Sequence, residues 1–171
     1  MTENNEDHEP ASINEEKYNS LIIELKEKEN FSFAIIAGIL TSLIGAGIWA
    51  AVTVASGYQI GWMAVGVGFL VGMSTRFAGN GISPQFGYSG AFFALLGCVL
   101  GNFLSIVGFI AMEEQMGYIE VLMALDYSLV PEIMTSTFQP MDLLFYGLAV
   151  YEGYKFSFKQ LSEEDIANVL D

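Results

Sequence analysis

The stretch GAFFALLGCVLGNFLSIVG, residues 90–108, holds no charged residue and yet contains four glycines. These glycines fall at positions 90, 97, 101 and 108. Together with Ala94 and Ser105 they form one line of small residues, because steps of three or four residues return to the same face of an α-helix. Glycine weakens a helix in water, whereas in a membrane small side chains let helix backbones approach and pack. The stretch therefore predicts a membrane-spanning helix that packs through its small face.

The composition of the whole chain also predicts a membrane protein. Of the 171 residues, 53% are hydrophobic and 15% are charged, whereas about a quarter of the residues in a soluble domain are charged. From residue 31 to residue 112, Arg76 is the only charged residue. The net charge of −14 argues against binding to nucleic acid, and we expect no nucleic-acid partner.

Charge and hydropathy divide the chain into four regions. Residues 1–14 form an acidic tail that we expect to be disordered, because they contain almost nothing to bury. In residues 15–30 apolar side chains recur at helical spacing, which predicts an amphipathic helix that either lies on a surface or binds a partner. Residues 31–158 form the membrane domain, and residues 159–171 form an acidic C-terminal tail.

Four transmembrane helices are predicted within the membrane domain, and the last is shorter and less apolar than the others. A helix rises about 1.5 Å per residue and must cross about 30 Å of hydrocarbon. An acidic loop precedes the last span, and we expect two short helices in it, one before Asp126 and one starting at Pro131. The predicted spans cover residues 31–55, 58–78, 88–112 and 142–158, and the loop covers residues 113–141.

The distribution of basic residues predicts the orientation. In this layout all six Lys and Arg residues fall on one side, and the turn at Gly57 and the loop at residues 113–141 have none. Basic residues concentrate on the cytoplasmic side of membrane proteins. Both termini are therefore predicted to be cytoplasmic, whereas a three-span layout would place the basic C-terminal segment outside. The predicted fold is an all-α integral membrane protein, a tight, glycine-rich bundle of about four helices.

Small residues also line the other predicted spans. The second span has Gly68 and Gly72 on one face, and the first has Gly38 and Gly45. We expect these faces to pack against one another within the chain. A contact between copies in a homo-oligomer and the lining of a narrow pore are the alternatives.

Three polar residues within the predicted spans are candidates for function. Asn102 lies near the middle of the third span, where an amide usually bonds to another helix; contact with a substrate is the alternative. Glu152 and Lys155 lie three residues apart on the last span, and ionisable residues in a membrane are functional candidates. We expect them to form a structural ion pair, and the alternative is a relay for protons or ions.

Arg76 is the fourth candidate. It precedes Gly79-Asn80-Gly81, a segment that is either a simple turn, which we favour, or a cradle for an anion. No combination of residues for nucleophilic catalysis or zinc binding can be assembled from the sequence. We therefore expect no catalytic residues, no metal and no cofactor.

Two stretches, GYQIGWMAVGVGFLVG (residues 57–72) and MDLLFYGLAVYEGYKFSF (residues 141–158), resemble a family of small multi-pass bacterial membrane proteins that has no assigned activity. The resemblance covers roughly residues 33–160. It implies a helical domain in the bacterial inner membrane and no particular chemistry.

The function expected from these observations is structural. The leading interpretation is a non-enzymatic accessory or scaffold subunit of a membrane complex, with the lipid bilayer and a homo-oligomer or a larger complex as partners. The alternative is a small homo-oligomeric transporter or channel that uses Asn102, Glu152 and Lys155. A membrane-embedded enzyme ranks third, because no pair of nucleophile and base is visible.

Overall fold

The computed structural model describes residues 14–170, and every element assigned in that range is an α-helix, which confirms the predicted all-α class. The predicted disordered tail, residues 1–14, lies outside the described residues except for Asn14. The helices of the described chain are α1 (Glu15–Glu27), α2 (Phe31–Ser56), α3 (Trp62–Gly79), α4 (Pro84–Glu113), α5 (Tyr118–Ala124), α6 (Val130–Thr137), α7 (Pro140–Lys155) and α8 (Glu163–Val169).

The four longest helices, α2, α3, α4 and α7, pack side by side as one bundle. Helix α4 contacts each of the other three, α2 packs on α3, and α3 packs on α7. Short turns connect α2 to α3 and α3 to α4, so these successive helices run in opposite directions, as in an up-and-down bundle. Helix α4 is the longest, with 30 residues.

Residues with special backbone or capping properties begin and end these helices. The Asn30 side chain accepts a hydrogen bond from the Phe33 amide at the start of α2. Gly57, with φ of 71°, ends α2, because a glycine adopts the left-handed conformation without steric cost. Asn80 ends α3 in the same conformation, with φ of 49°, and Pro84 occupies the first position of α4, where its missing amide hydrogen costs nothing.

Small residues line the contacts between the bundle helices, and many large apolar residues face outward. On α4 the whole small line is buried, and Phe92, on the opposite face, is 61% exposed. The buried line of α4 consists of Gly90, Ala94, Gly97, Gly101, Ser105 and Gly108. A water-soluble bundle covers its outer face with polar side chains instead.

Two helices of the described chain, Phe31–Ser56 and Pro84–Glu113, are long and apolar enough to cross a membrane. Helix α3 has 18 residues and includes Arg76. Helix α7 has 16 residues and is therefore about 24 Å long, less than the about 30 Å of a hydrocarbon core. By length and composition, α2 and α4 are thus the strongest candidates to span a membrane.

The loop between α4 and α7 contains the two short helices that the sequence predicts. Helix α5 ends just before Asp126, and α6 has Pro131 in its first turn. The buried Val121 of α5 joins Val107 and Ala111 of α4 in a small apolar cluster. This cluster holds the loop against the end of α4 that follows Asn102.

The two terminal helices of the described chain meet each other. The Asn14 amide donates a 2.8 Å hydrogen bond to the Val169 carbonyl, and α1 packs on α8. Leu25 and Val169 supply the buried apolar side chains of these helices. Residues 15–30 are thus mostly helical, and the acidic C-terminal segment folds as well.

Candidate functional site

Asn102 lies on the buried face of α4, where its residue is 2% exposed. Its Oδ1 accepts a 3.1 Å hydrogen bond from Nε2 of Gln59, which belongs to the turn between α2 and α3. The Asn102 side chain also interacts with the side chain of Tyr146 on α7. Asn102 therefore links the turn after α2 to α7 inside the bundle.

Tyr146 lies beside Asn102 and contacts Trp49. The Tyr146 hydroxyl donates a 3.3 Å hydrogen bond to the Cys98 carbonyl of α4. The ring of Tyr146 meets the Trp49 ring edge-on, with the centroids 6.4 Å apart. Trp49 is 1% exposed, and its Nε1 has no partner within the described part of the chain. We call Gln59, Asn102, Tyr146 and Trp49 the Asn102 cluster.

An open cleft of about 360 Å³ borders this cluster, and we call it the Asn102 cleft. Helix α4 supplies one side, α7 the second, and α6 with the residue after it the third. Phe138 and Tyr146 meet within the cleft with ring centroids 5.9 Å apart. The residues that line the cleft are Val99, Asn102, Met134, Thr135, Phe138 and Tyr146.

The turn between α3 and α4 is bound by Glu29, a residue that the sequence analysis did not single out. One oxygen of its carboxylate accepts hydrogen bonds from the Ile82 amide at 2.8 Å and the Ser83 amide at 2.7 Å. The other oxygen accepts from the Ser83 hydroxyl at 2.8 Å. Backbone amides at a helix N-terminus form a natural site for an anion. The carboxylate of Glu29 occupies that site at the start of α4.

Other backbone bonds use the remaining groups of this turn. The Asn30 amide donates to the Gly79 carbonyl, and the Lys159 amide donates to the Gly81 carbonyl, both at 2.8 Å. The turn therefore joins the segment before α2 to the segment after α7. These bonds agree with the favoured interpretation of Gly79-Asn80-Gly81 as a turn. The amides that follow it could bind an anion, but they bind the carboxylate of Glu29 instead.

Arg76 lies in the last turn of α3 and is partly exposed. Its guanidinium carbon lies 5.4 Å from the centroid of the Phe77 ring, and its carbonyl accepts the hydrogen bond that ends α3. Within residues 14–170 it forms no ion pair with a carboxylate. A cation over an aromatic face gains about 0.5–1 kcal/mol at an exposed site.

The expected ion pair between Glu152 and Lys155 is not formed. Among residues 14–170, the ion pair that the structure contains joins Lys28 to Glu24 on α1. The Lys155 ammonium instead lies 5.5 Å from the centroid of the Tyr151 ring and 5.7 Å from that of Phe156. Lys155 is at the end of α7 and exposed, so its long side chain reaches out along aromatic surface instead of turning back to Glu152.

The four predicted candidates fall at two ends of the bundle. Glu152 and Lys155 lie on the last turns of α7, and Arg76 lies on the last turn of α3. Asn102 lies beside Tyr146, which is six residues before Glu152, or about 9 Å along the helix. The structure thus groups Asn102 with two residues that were not predicted, Gln59 and Tyr146, and separates it from the charges.

Electrostatic effects outside the bundle are local. The hydrogen bond from Lys28 to Glu24 raises the pKa of Lys28. Bonds from the Ser162 amide and hydroxyl at the start of α8 lower the pKa of Asp165, and bonds from Ser128 lower the pKa of Asp126.

No group of three His, Cys, Asp or Glu side chains in the described chain is placed to hold a metal ion.

Comparison with known proteins gives no relative: no family model, no curated protein and no solved structure matches the chain.

Proposed function

We propose that this chain is a multi-pass protein of a bacterial inner membrane and a non-catalytic accessory or scaffold subunit of a membrane complex. In this proposal α2, α3, α4 and α7 are the four spans, and both termini are cytoplasmic. The chain would belong to the family of small multi-pass bacterial membrane proteins that its second and last spans resemble.

The observation that carries the proposal is that small residues line the contacts between the helices while many large apolar side chains are exposed on the outer surface of the bundle. Exposed apolar side chains occur on all four bundle helices, for example Leu43 on α2, Phe69 on α3, Phe92 on α4 and Leu143 on α7. Such a surface would aggregate in water, whereas lipid chains solvate it. Inside, a Cβ added at Gly68 would meet the Ala149 backbone, so α3 and α7 approach through their backbones.

The arrangement of charges supports the cytoplasmic termini. Lys155, Lys159 and Arg76 lie at the end of the bundle where α3 and α7 finish, and the basic residues of α1 precede the start of α2 at the same end. The opposite end, with Gly57 and residues 113–141, carries acids and no Lys or Arg. This asymmetry follows the positive-inside rule.

A structural role accounts for the bundle interior better than transport does. Between the Asn102 cluster and the end of the bundle that carries Arg76 and Lys155 lies an apolar core that includes Val67, Val71, Phe93 and Ala149. A path for ions or polar substrates needs polar groups or water along its length. Between its ends the described interior packs mostly apolar side chains, with the buried Ser42 hydroxyl beside Gly97.

The loop at residues 113–141 is the surface that best fits a protein partner. Met123 is 82% exposed and Ile119 is 67% exposed, and both lie on α5. Tyr127 follows them and is also exposed. Apolar side chains displayed on short helices beyond the end of a bundle are typical of interaction sites.

Affinity purification of a tagged chain in mild detergent tests the proposal. We expect one partner to co-purify in a fixed ratio, and we expect Met123→Glu to remove it. Ile23→Glu, which changes an equally apolar exposed residue of α1, is the matched control and should retain the partner. A homo-oligomer without other subunits that moves ions across liposomes would contradict the scaffold role and favour a transporter.

A further inference from the structure

We propose that the surface where the C-terminal ends of α3 and α7 meet binds the head group of an anionic phospholipid, and that Arg76 and Lys155 contact its phosphate. We call this surface, formed by Phe69, Arg76, Tyr151, Lys155 and Phe156, the Arg76–Lys155 surface. The inference rests on the proposed membrane location. It names a ligand class for residues to which the scaffold role assigns none.

The first argument is the position of the two cations. Helices α3 and α7 pack on each other, and a Cβ added at Gly72 of α3 would lie 2.9 Å from the Cβ of Phe156, the residue after Lys155. Arg76 follows Gly72 by four residues and therefore lies on the same face of α3, one turn nearer its end. Both cations thus border the contact between the two helices.

The second argument is that neither cation has an acidic partner. Within residues 14–170 the ion pair that the structure contains is on α1, and the charges of Arg76 and Lys155 lie near aromatic rings instead. Lys159 differs from them, because its charge interacts with that of Asp165. Arg and Lys are the side chains that bind phosphate in proteins. A phosphate group would supply the anionic partner that both cations lack.

The third argument is the aromatic surroundings of these charges. The ring of Phe69 packs against that of Phe156 with centroids 5.1 Å apart, and Phe69 is 42% exposed. Tyr151, whose ring lies near the Lys155 ammonium, is 54% exposed. Aromatic rings beside basic residues are typical of the boundary between hydrocarbon and water on the cytoplasmic side of a membrane. An anionic phospholipid fits both features, with its acyl chains along the rings and its phosphate at the cations.

The acids at this end of the bundle leave the surface with a net positive charge. Glu29 is bound by the turn between α3 and α4, Glu24 is paired with Lys28, and α8, which carries three more acids, packs on α1. Glu152, three residues before Lys155, is the acid of α7 closest to the surface. Its single charge offsets one of the two cations. The net charge of −14 acts weakly from a distance, since salt at 0.1 M screens charges beyond about 10 Å.

Native mass spectrometry of the detergent-purified chain tests the site. The anionic probe is phosphatidylglycerol, and the zwitterionic probe is phosphatidylcholine with the same acyl chains. A basic residue near a membrane surface contributes about 1 kcal/mol toward an anionic lipid, which is about fivefold in affinity. We therefore expect the parent to bind its first phosphatidylglycerol about 25-fold more tightly than its first phosphatidylcholine, the product of two such factors.

Substitutions assign this preference to the two cations. Arg76→Gln and Lys155→Gln should each lower it about fivefold, and the double variant should bind both lipids alike. Arg76→Lys keeps the charge and should retain most of the preference. Lys159→Gln is the matched control, because it removes the same charge from a residue that already interacts with Asp165; it should behave like the parent. Glu152→Gln should raise the preference.

Two results would overturn the proposal. One is equal binding of the two lipids by the parent, a comparison that does not depend on the folding of any variant. The other is the same loss of preference in Lys159→Gln as in Arg76→Gln and Lys155→Gln, because it would show a response to total charge.

The membrane location on which the proposal rests is tested separately by fractionation of cells. Recovery of the chain from the soluble fraction without detergent would contradict that location. Equal lipid binding by protein extracted from the membrane fraction would contradict the lipid site alone. Neither measurement involves a protein partner, so the scaffold role is judged by its own test.

Discussion

Gly90 of α4 and Gly153 of α7 touch through their backbones. A Cβ added at Gly153 would lie 2.6 Å from the Gly90 carbonyl oxygen, and one added at Gly90 would collide with the Gly153 carbonyl oxygen. Both glycines are buried. In a membrane, the setting proposed for this bundle, helices gain no hydrophobic driving force from one another, and close backbone approach of this kind supplies the packing energy.

Gly153→Ala should therefore destabilise the protein by about 1–3 kcal/mol, because the added methyl group must push α7 away from α4. Gly147→Ala is the matched control, since a Cβ at Gly147 meets no atom within 4 Å. That control should be neutral or more stable by up to about 1 kcal/mol, through its better helix propensity. Thermal unfolding in detergent measures both, and equal effects would refute the close packing of Gly153.

Larger residues at the centre of α4 should have a greater effect. A Cβ at Gly97 would lie 2.7 Å from Cγ1 of Val67, and one at Gly101 would lie 3.0 Å from Cε3 of Trp49. We expect Gly97→Leu and Gly101→Leu each to lower the free energy of unfolding by about 3 kcal/mol or more. Phe92→Leu, on the exposed face, should leave it unchanged. Parent-like melting of both glycine variants would mean that this face is not tightly packed.

The sequence predicts the helical class well because its signals are local. Apolar periodicity, the glycine spacing of α4 and the Pro131 start of α6 all act within a few residues of chain. The lengths of the helices are less predictable: α7 ends at Lys155 although apolar residues continue to Phe158. The chain that follows runs to the turn between α3 and α4, where the Lys159 amide bonds to the Gly81 carbonyl.

Glu29→Ala should weaken the attachment of α1 and α2 to the start of α4. It removes a carboxylate that accepts three hydrogen bonds from Ile82 and Ser83, and we expect a loss of about 1–3 kcal/mol. Amide hydrogen exchange at Ile82 and Ser83 should become faster. The control is Glu27→Ala, which removes an exposed acid two residues earlier and should leave both exchange rates unchanged. If exchange at Ile82 and Ser83 stays slow in Glu29→Ala, water or another group has replaced the carboxylate.

Glu152→Gln should change the free energy of unfolding by no more than about 0.5 kcal/mol, because the carboxylate has no cationic partner in the described chain. If Glu152 and Lys155 instead formed a buried pair, the single substitution would cost about 3–5 kcal/mol, and Glu152→Leu with Lys155→Leu would recover much of it. Thermal melts of the parent, the single and the double variant distinguish the two cases.

The candidate site was harder to predict than the fold because it depends on contacts between distant residues. Asn102 stands out in the sequence as an amide in an apolar span. Its partner Gln59 is 43 positions earlier, and Tyr146 is 44 positions later, so no local pattern joins them. Glu29 could have been noticed as an acid next to the first span, but its bonds to a turn more than 50 positions away come from the packing of the whole bundle.

The central claim, four membrane spans with both ends in the cytoplasm, is tested most directly by labelling single cysteines in intact cells. The native Cys98 is buried and would be replaced by serine. Ser136→Cys, Ser20→Cys and Gln160→Cys each place one thiol at an exposed position, in the loop between α4 and α7, in α1 and in the segment before α8 respectively. With a membrane-impermeant maleimide we predict labelling of Ser136→Cys in intact cells, and labelling of the other two only after permeabilisation. Labelling of Gln160→Cys from outside intact cells would contradict the account.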